Sequence, residues 1–240
     1  MRPAGRQRIA TIGDRLSAFV SSTRNESARL FKSDLAEWLS HVHPAAPHVI
    51  YLPIISVLLL KAPTPLTTTL WLALGGLGFW TIAEYLLHRF AFHAPDHVMQ
   101  ETHQIVAALP PGAPAVRALP GVRHVIYFLM HGIHHEYPSD STRLVMAPTV
   151  SLPIAGAFYI AFGLALGWHR APAFFSGFIV GYLAYDTIHF LLHHRAIPTA
   201  VGRQAKQRHF RHHFVDPDRD YGVSSPLWDF VFGTRTANGK

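Results

Sequence analysis

The stretch APAFFSGFIVGYLAYDTIHFLL, residues 171–192, decides how the fold is read. A helix of that length spans about 33 Å, enough to cross the roughly 30 Å hydrocarbon core of a bilayer. Its polar residues keep largely to one side. Tyr182, Asp186, His189 and, just past its end, His193 recur at i, i+4, i+7 and i+11, which places them on one helical face. The segment therefore reads as a membrane helix, and its ionisable stripe as a functional one.

Three more apolar stretches precede it, at residues 48–60, 65–87 and 149–168. The first is short for a spanning helix, which needs roughly 17–25 residues. Short polar turns join the first pair (KAPT, 61–64) and the second pair (HR, 169–170), so the chain is expected to form two helical hairpins. Composition agrees: the 240 residues are 49% hydrophobic and only 15% charged, against about 25% charged in soluble domains. All of the 21 Lys and Arg residues except Lys61 and Arg170 lie before the first stretch, between the hairpins or after the last. The positive-inside rule then makes both termini cytoplasmic. The net charge of +7 is expected to face a membrane surface and not nucleic acid, because the basic residues flank apolar segments. A chain without cysteine has no disulfides, thiolate metal sites or Cys nucleophile. The opening MRPAGRQRIATIGDR lacks the apolar core of a removable signal.

Residues 1–45 read as a cytosolic or interfacial segment, with Leu30, Phe31, Leu35 and Leu39 at roughly helical spacing, ahead of a membrane domain over 46–240. Residues 94–123 are proline-rich and read as a loop that shapes the substrate entrance.

Ten of the 18 histidines fall in four clusters: His88 and His93; His131, His134 and His135; His189 and His193; His209, His212 and His213. On a helix, positions i, i+3 and i+4 are neighbours on one face, so each H-x-x-H-H triplet is expected to aim its imidazoles together. His88 and His93, five apart, converge only if the helix ends near residues 89–92. All four clusters belong to the predicted cytoplasmic side and none to a hairpin tip. Ten imidazoles match two metal ions at about five each, and nitrogen ligands suit Fe, Zn, Cu or Ni over Mg or Ca. Glu84 and Asp186, each within one turn of a clustered histidine, are expected to accept the second ring N–H of a ligand, with Tyr182 on the same stripe as Asp186. His41, His43, His48, His97, His103, His124, His169 and His194 are read as non-ligands.

These residues resemble the fatty acid hydroxylase superfamily of integral-membrane enzymes, sterol desaturase-like in its histidine pattern. The stretches HGIHHEYPSDSTRLVMAPT (131–149), YDTIHFLLHH (185–194) and YGVSSPLWDFVFGT (221–234) are similar to the fatty acid 2-hydroxylases in particular. The resemblance implies an all-α, integral membrane four-helix bundle with a cytosolic helical cap holding a dinuclear, histidine-only site. It also implies O2-dependent hydroxylation at C2 of a long acyl chain, free or within a ceramide-like lipid. Two Fe are the expected cofactors, with Zn able to take their places in isolated protein. Residues 1–47 are too short for a cytochrome b5 domain, so electrons are expected from a separate donor, cytochrome b5-like, ferredoxin or similar. The enclosing membrane would be the inner or plasma membrane of a bacterium or the endoplasmic reticulum of a eukaryote. The alternatives are a sterol or carotenoid hydroxylase or desaturase of the same superfamily, or a membrane metal transporter or sensor. The last needs ligands along a crossing path, whereas these lie on one face.

Overall fold

A computed structural model describes residues 28–236. The opening fifteen residues, and with them the expectation about a removable signal, lie outside the described residues. Every regular element among the described residues is helical. In order they are α1 (Asp34–Leu39), α2 (Ala46–Leu60), α3 (Leu66–Leu87), α4 (Asp96–Ala107), α5 (Ala115–Ala118), α6 (Val122–Tyr127), α7 (Ile133–Glu136), α8 (Pro148–Leu166), α9 (Ala171–His194), α10 (Ala200–Phe214) and α11 (Leu227–Val231). Two π-helical turns are inserted, His88–Phe92 after α3 and Phe128–Gly132 between α6 and α7.

Three helices are long and apolar enough to cross a membrane: α3 with its π turn (Leu66–Phe92), α8 and α9. The chain is a membrane protein. With 15 residues, α2 rises only about 22 Å, less than the bilayer core. Of the four, α9 is the most enclosed and packs against α2, α3 and α8. Glycines set its closest approach. A Cβ on Gly177 would lie 1.8 Å from the Ala73 carbonyl oxygen, and one on Gly76 would lie 1.9 Å from that of Phe174. Only hydrogen at both positions lets the α3 and α9 backbones touch. Outward-facing Val49, Leu52, Leu70, Trp71, Leu74 and Leu164 give the helices an apolar coat, as a lipid solvent requires.

Two expectations are corrected here. More than half of the segment 94–123 is helix. Val98, Thr102 and Val106 recur every fourth residue and are buried on one face of α4, which packs against α6; the prolines cluster only beyond its end. The N-terminal helix is short, and Leu30 and Phe31 precede it. Glu37 accepts the backbone N–H groups of Leu30 and Phe31, both at 2.8 Å, which holds this stretch out of helix. Leu30 is buried against Phe128 and Ile133. Arg143 then ties the segment down by donating to Glu37 at 2.5 Å and to the Ser40 hydroxyl at 3.0 Å.

Candidate metal centre

Local helix geometry explains how each histidine is aimed. Past Leu87, α3 widens into a π turn closed by the His93 N–H donating to the His88 carbonyl at 3.2 Å. That i→i+5 bond brings two residues five apart onto one side, and the rings of His88 and His93 lie 5.1 Å apart. The regular helix does end where the spacing required, and a widened turn makes the junction. A second π turn carries His131.

The structure gathers all ten clustered histidines into two groups of five. His88, His93, His131, His135 and His212 form one; His134, His189, His193, His209 and His213 form the other. Within each group the ligand atoms all lie within 4.8 Å of one another. None of the remaining histidines joins either group. His41, for instance, bonds Thr142, His103 pairs with Glu136 and His124 with Glu101.

The triplets do not aim as units, contrary to expectation. His131 and His135 enter the first group while His134 enters the second; His209 and His213 enter the second while His212 enters the first. On a helix the i and i+4 positions are only about 40° apart around the axis, whereas i+3 lies about 60° to the other side of i. Each H-x-x-H-H therefore bridges the two groups, in opposite senses. The groups abut where His135 stacks on His213, ring centroids 4.2 Å apart.

The nitrogen geometry suits a metal. Nε2 of His131 lies 3.0 Å from Nε2 of both His88 and His135, and Nε2 of His93 lies 3.1 Å from that of His212. In the second group, Nε2 of His213 lies 3.1 Å from that of His134 and 3.0 Å from that of His209. Two nitrogens each about 2.0–2.1 Å from a shared ion and about 3 Å from each other subtend close to a right angle there. The tautomers agree. The Nδ1–H of His88 donates to the Tyr221 carbonyl at 2.5 Å, and that of His212 to the Arg219 carbonyl at 2.7 Å. A carbonyl only accepts, so the proton sits on Nδ1 and the Nε2 lone pair faces the group. Burial, aided by the crowding of other imidazoles, holds His93, His131, His134, His135, His209 and His213 well below the ordinary imidazole range. Burial brings His212 down to about 4. All seven are then neutral at physiological pH, the form a metal requires.

Glu84 and Asp186 do not meet a histidine nitrogen. Glu84 accepts the backbone N–H groups of Val223 and Ser224, each at 2.8 Å, and the Ser224 hydroxyl. Its reach toward His88 is indirect, through the turn whose Tyr221 carbonyl takes the His88 proton. Asp186 faces a cavity together with Tyr182, one helical turn away on the same helix, and with His189, both of whose ring nitrogens are buried without a hydrogen-bond partner among the described residues. Sequence reasoning missed the tail segment that orients the first group. Asp229, buried, accepts from the N–H groups of Tyr221 and Gly222 at 2.9 and 2.7 Å, and Asp220 takes a left-handed conformation, φ 55°. The one available signal was the 221–234 stretch itself.

A cavity of about 420 Å³ adjoins both groups, with His131 of the first and His134 and His189 of the second in its wall. Its other walls are largely apolar and come from α2, α3, α8, α9 and the N-terminal segment.

A family model described as fatty acid hydroxylase matches residues 119–234. The chain is 31% identical over 212 residues to a dihydroceramide fatty acyl 2-hydroxylase of Arabidopsis thaliana, covering 87% of this chain and 80% of the relative. It is 35% identical over 192 residues to a ceramide very long chain fatty acid hydroxylase of Schizosaccharomyces pombe, covering 78% and 49%. It is 27% identical over 253 residues to the Homo sapiens fatty acid 2-hydroxylase, covering 95% and 62%. Among solved structures, full-length scs7p, of which only the hydroxylase domain is visible, superposes with a TM-score of 0.73 at 34% identity, covering 88% of this chain and 73% of that one. Ten imidazoles, most of them buried, in two facing groups beside an apolar cavity, together with these relatives, place the chain in the fatty acid hydroxylase family of membrane enzymes.

Proposed function

We propose that this enzyme hydroxylates C2 of a long acyl chain, free or within a ceramide-like lipid, with O2 as co-substrate and a pair of iron ions held five histidines to each. The observation that carries this reading is the shared cavity: one apolar chamber reaches both histidine groups, so a methylene and both ions can meet at one place. Relatives named as fatty acyl 2-hydroxylases support position C2. When bound, two redox-active ions supply the O2 activation that an unactivated C–H bond demands.

The chain's own residues position and exclude. His88 and His212 are locked by the Tyr221 and Arg219 carbonyls with their lone pairs inward. The neutral imidazoles leave the charge of each ion undiminished. Apolar walls keep water from the reacting carbon and orient the acyl chain. Glu84 acts through the 221–224 turn, and Asp186 and Tyr182 face the substrate. The four apolar helices form the membrane bundle, with α4–α7, α10 and α11 as its cap. The basic-rich end faces the cytoplasm, where a separate electron donor docks.

Lipid analysis tests the reaction. Cells expressing the wild type should accumulate 2-hydroxylated acyl chains, and His135→Ala should bring them to background while lowering bound metal. Chelation of the purified enzyme should abolish turnover. Undiminished turnover by a metal-free preparation would refute the assignment, and metal flux without O2 consumption would indicate a carrier.

A further inference from the structure

The chamber has two unlike ends with the histidines between them. Toward the N-terminal segment it is bounded by Leu30, Phe31 and Leu39 beside Ser40 and Arg143. In the other direction it runs down α8 and α9. Tyr182 and Asp186 stand nearest the histidines, and the wall beyond is apolar, formed by Ile154, Ala155 and Ile179. This arm ends on Phe158 of α8 and Phe178 of α9, whose rings pack 4.7 Å apart. Behind them Phe162 packs 5.3 Å from Phe178 and 4.9 Å from Phe174. Neither Phe162 nor Phe174 reaches the chamber. The chamber's lining on α8 and α9 therefore stops at these two rings, with further aromatic rings behind them.

The two ends suit different parts of a lipid. An acyl tail arriving from the bilayer interior matches the apolar arm within the spanning helices, and the end with Ser40 and Arg143 suits a polar head. From His189 to Phe178 α9 rises about 16 Å. An extended hydrocarbon advances about 1.3 Å per carbon, so the arm takes on the order of a dozen carbons before meeting these rings.

Resting on the acyl substrate proposed above, we propose that Phe158 and Phe178 form the floor of the acyl arm and set the chain length the enzyme accepts. Phe158 is the better probe, since it is only partly buried whereas Phe178 sits in the core. Phe158→Ala opens the floor toward Phe162 and should lengthen the preferred chain by about two to four carbons, one ring spacing at the advance given above. Phe158→Trp should shorten it, and Phe158→Leu, the mildest change, should lengthen it slightly.

The test uses the full-length protein purified in detergent from cells fed an equimolar mixture of acyl lengths. Mass spectrometry reads the lengths of 2-hydroxylated products and, separately, of co-purifying lipids. Opposite shifts for Ala and Trp in both readouts are expected. Unmoved length profiles in all three variants would overturn the floor while leaving the reaction standing, as would a length shift produced instead by Leu39→Trp at the opposite end. Opposite shifts in co-purifying lipid without any 2-hydroxylated product, in the wild type too, would uphold the floor and overturn the reaction.

Discussion

Asp220 shows how much of the first histidine group is decided by residues that touch no metal. It is the one non-glycine residue with positive φ among the described residues, and the carbonyls on either side of it, Arg219 and Tyr221, receive the protons of His212 and His88. Aspartate tolerates the left-handed region better than most residues, and its carboxylate accepts the Thr236 N–H at 3.2 Å and hydroxyl at 2.6 Å. Asp220→Asn, which keeps the tolerance of positive φ and one accepting oxygen for the Thr236 N–H, should fold and load metal normally. Asp220→Val places a β-branched residue at φ 55° and should cost about 1–3 kcal/mol. Only the first group depends on these carbonyls, so with one ion in each group, as proposed above, elemental analysis should find metal per protein falling from two ions toward one. Equal loss from both groups would contradict the role given to this turn. None of it was legible beforehand: a backbone carbonyl carries no residue identity, so the partners of His88 and His212 could not be read from side-chain types. For the same reason the sequence points to Glu84 as a neighbour of His88 but to the wrong partner for its carboxylate.

At the scale of elements, the α3–α9 contact governs whether His88 and His189 are brought to a common level. Gly177→Leu drives a side chain into the Ala73 carbonyl, which lies 1.8 Å from the position of even a Cβ, and backbone cannot move aside cheaply. This variant should fail to accumulate as folded protein, judged by size-exclusion chromatography in detergent. Gly78, on α3, has nothing within 4 Å of the place a Cβ would take. Gly78→Ala should leave folding intact or stabilise the helix by about 0.5–1 kcal/mol. Equal behaviour of the two variants would mean that the close approach does not hold the bundle together. The long apolar helices were legible from hydropathy, and the end of the regular helix near His88 and His93 from the spacing of those two histidines. The α4 helix was not. Its buried face is built from Val98, Thr102 and Val106, and a threonine in the stripe weakens the apolar signal that a periodicity reading needs.

For the whole molecule, enclosure of so many imidazoles couples folding to pH. The histidines outside the spanning helices are depressed by burial, His212 to about 4 and the other six well below the ordinary value. The unfolded chain takes up protons near about pH 6.5 that the folded protein refuses. Stability is therefore full above about pH 6.5 and falls as pH drops toward about 4, each such histidine contributing up to about 1.4 kcal/mol per pH unit. Metal-stripped protein should lose thermal stability steeply between about pH 7 and about pH 5.5, and metal-loaded protein much less, because bound ions compete with protons. A flat melting temperature for stripped protein across that interval would argue against buried, neutral imidazoles.

The amino-acid sequence by itself determined that this chain enters a membrane, that it is helical there, and which ten histidines stand apart from the other eight. Those properties follow from hydropathy, helical period and charge placement, all of which act over a few neighbouring residues. The tertiary structure alone decided that each H-x-x-H-H divides between two groups, that a tail turn fixes the ring protons of His88 and His212, and that the chamber beside them ends on aromatic rings. Each of these joins positions far apart in the chain. Such contacts are set by how helices pack, and packing depends on the shapes of all the facing side chains together, which no local pattern records.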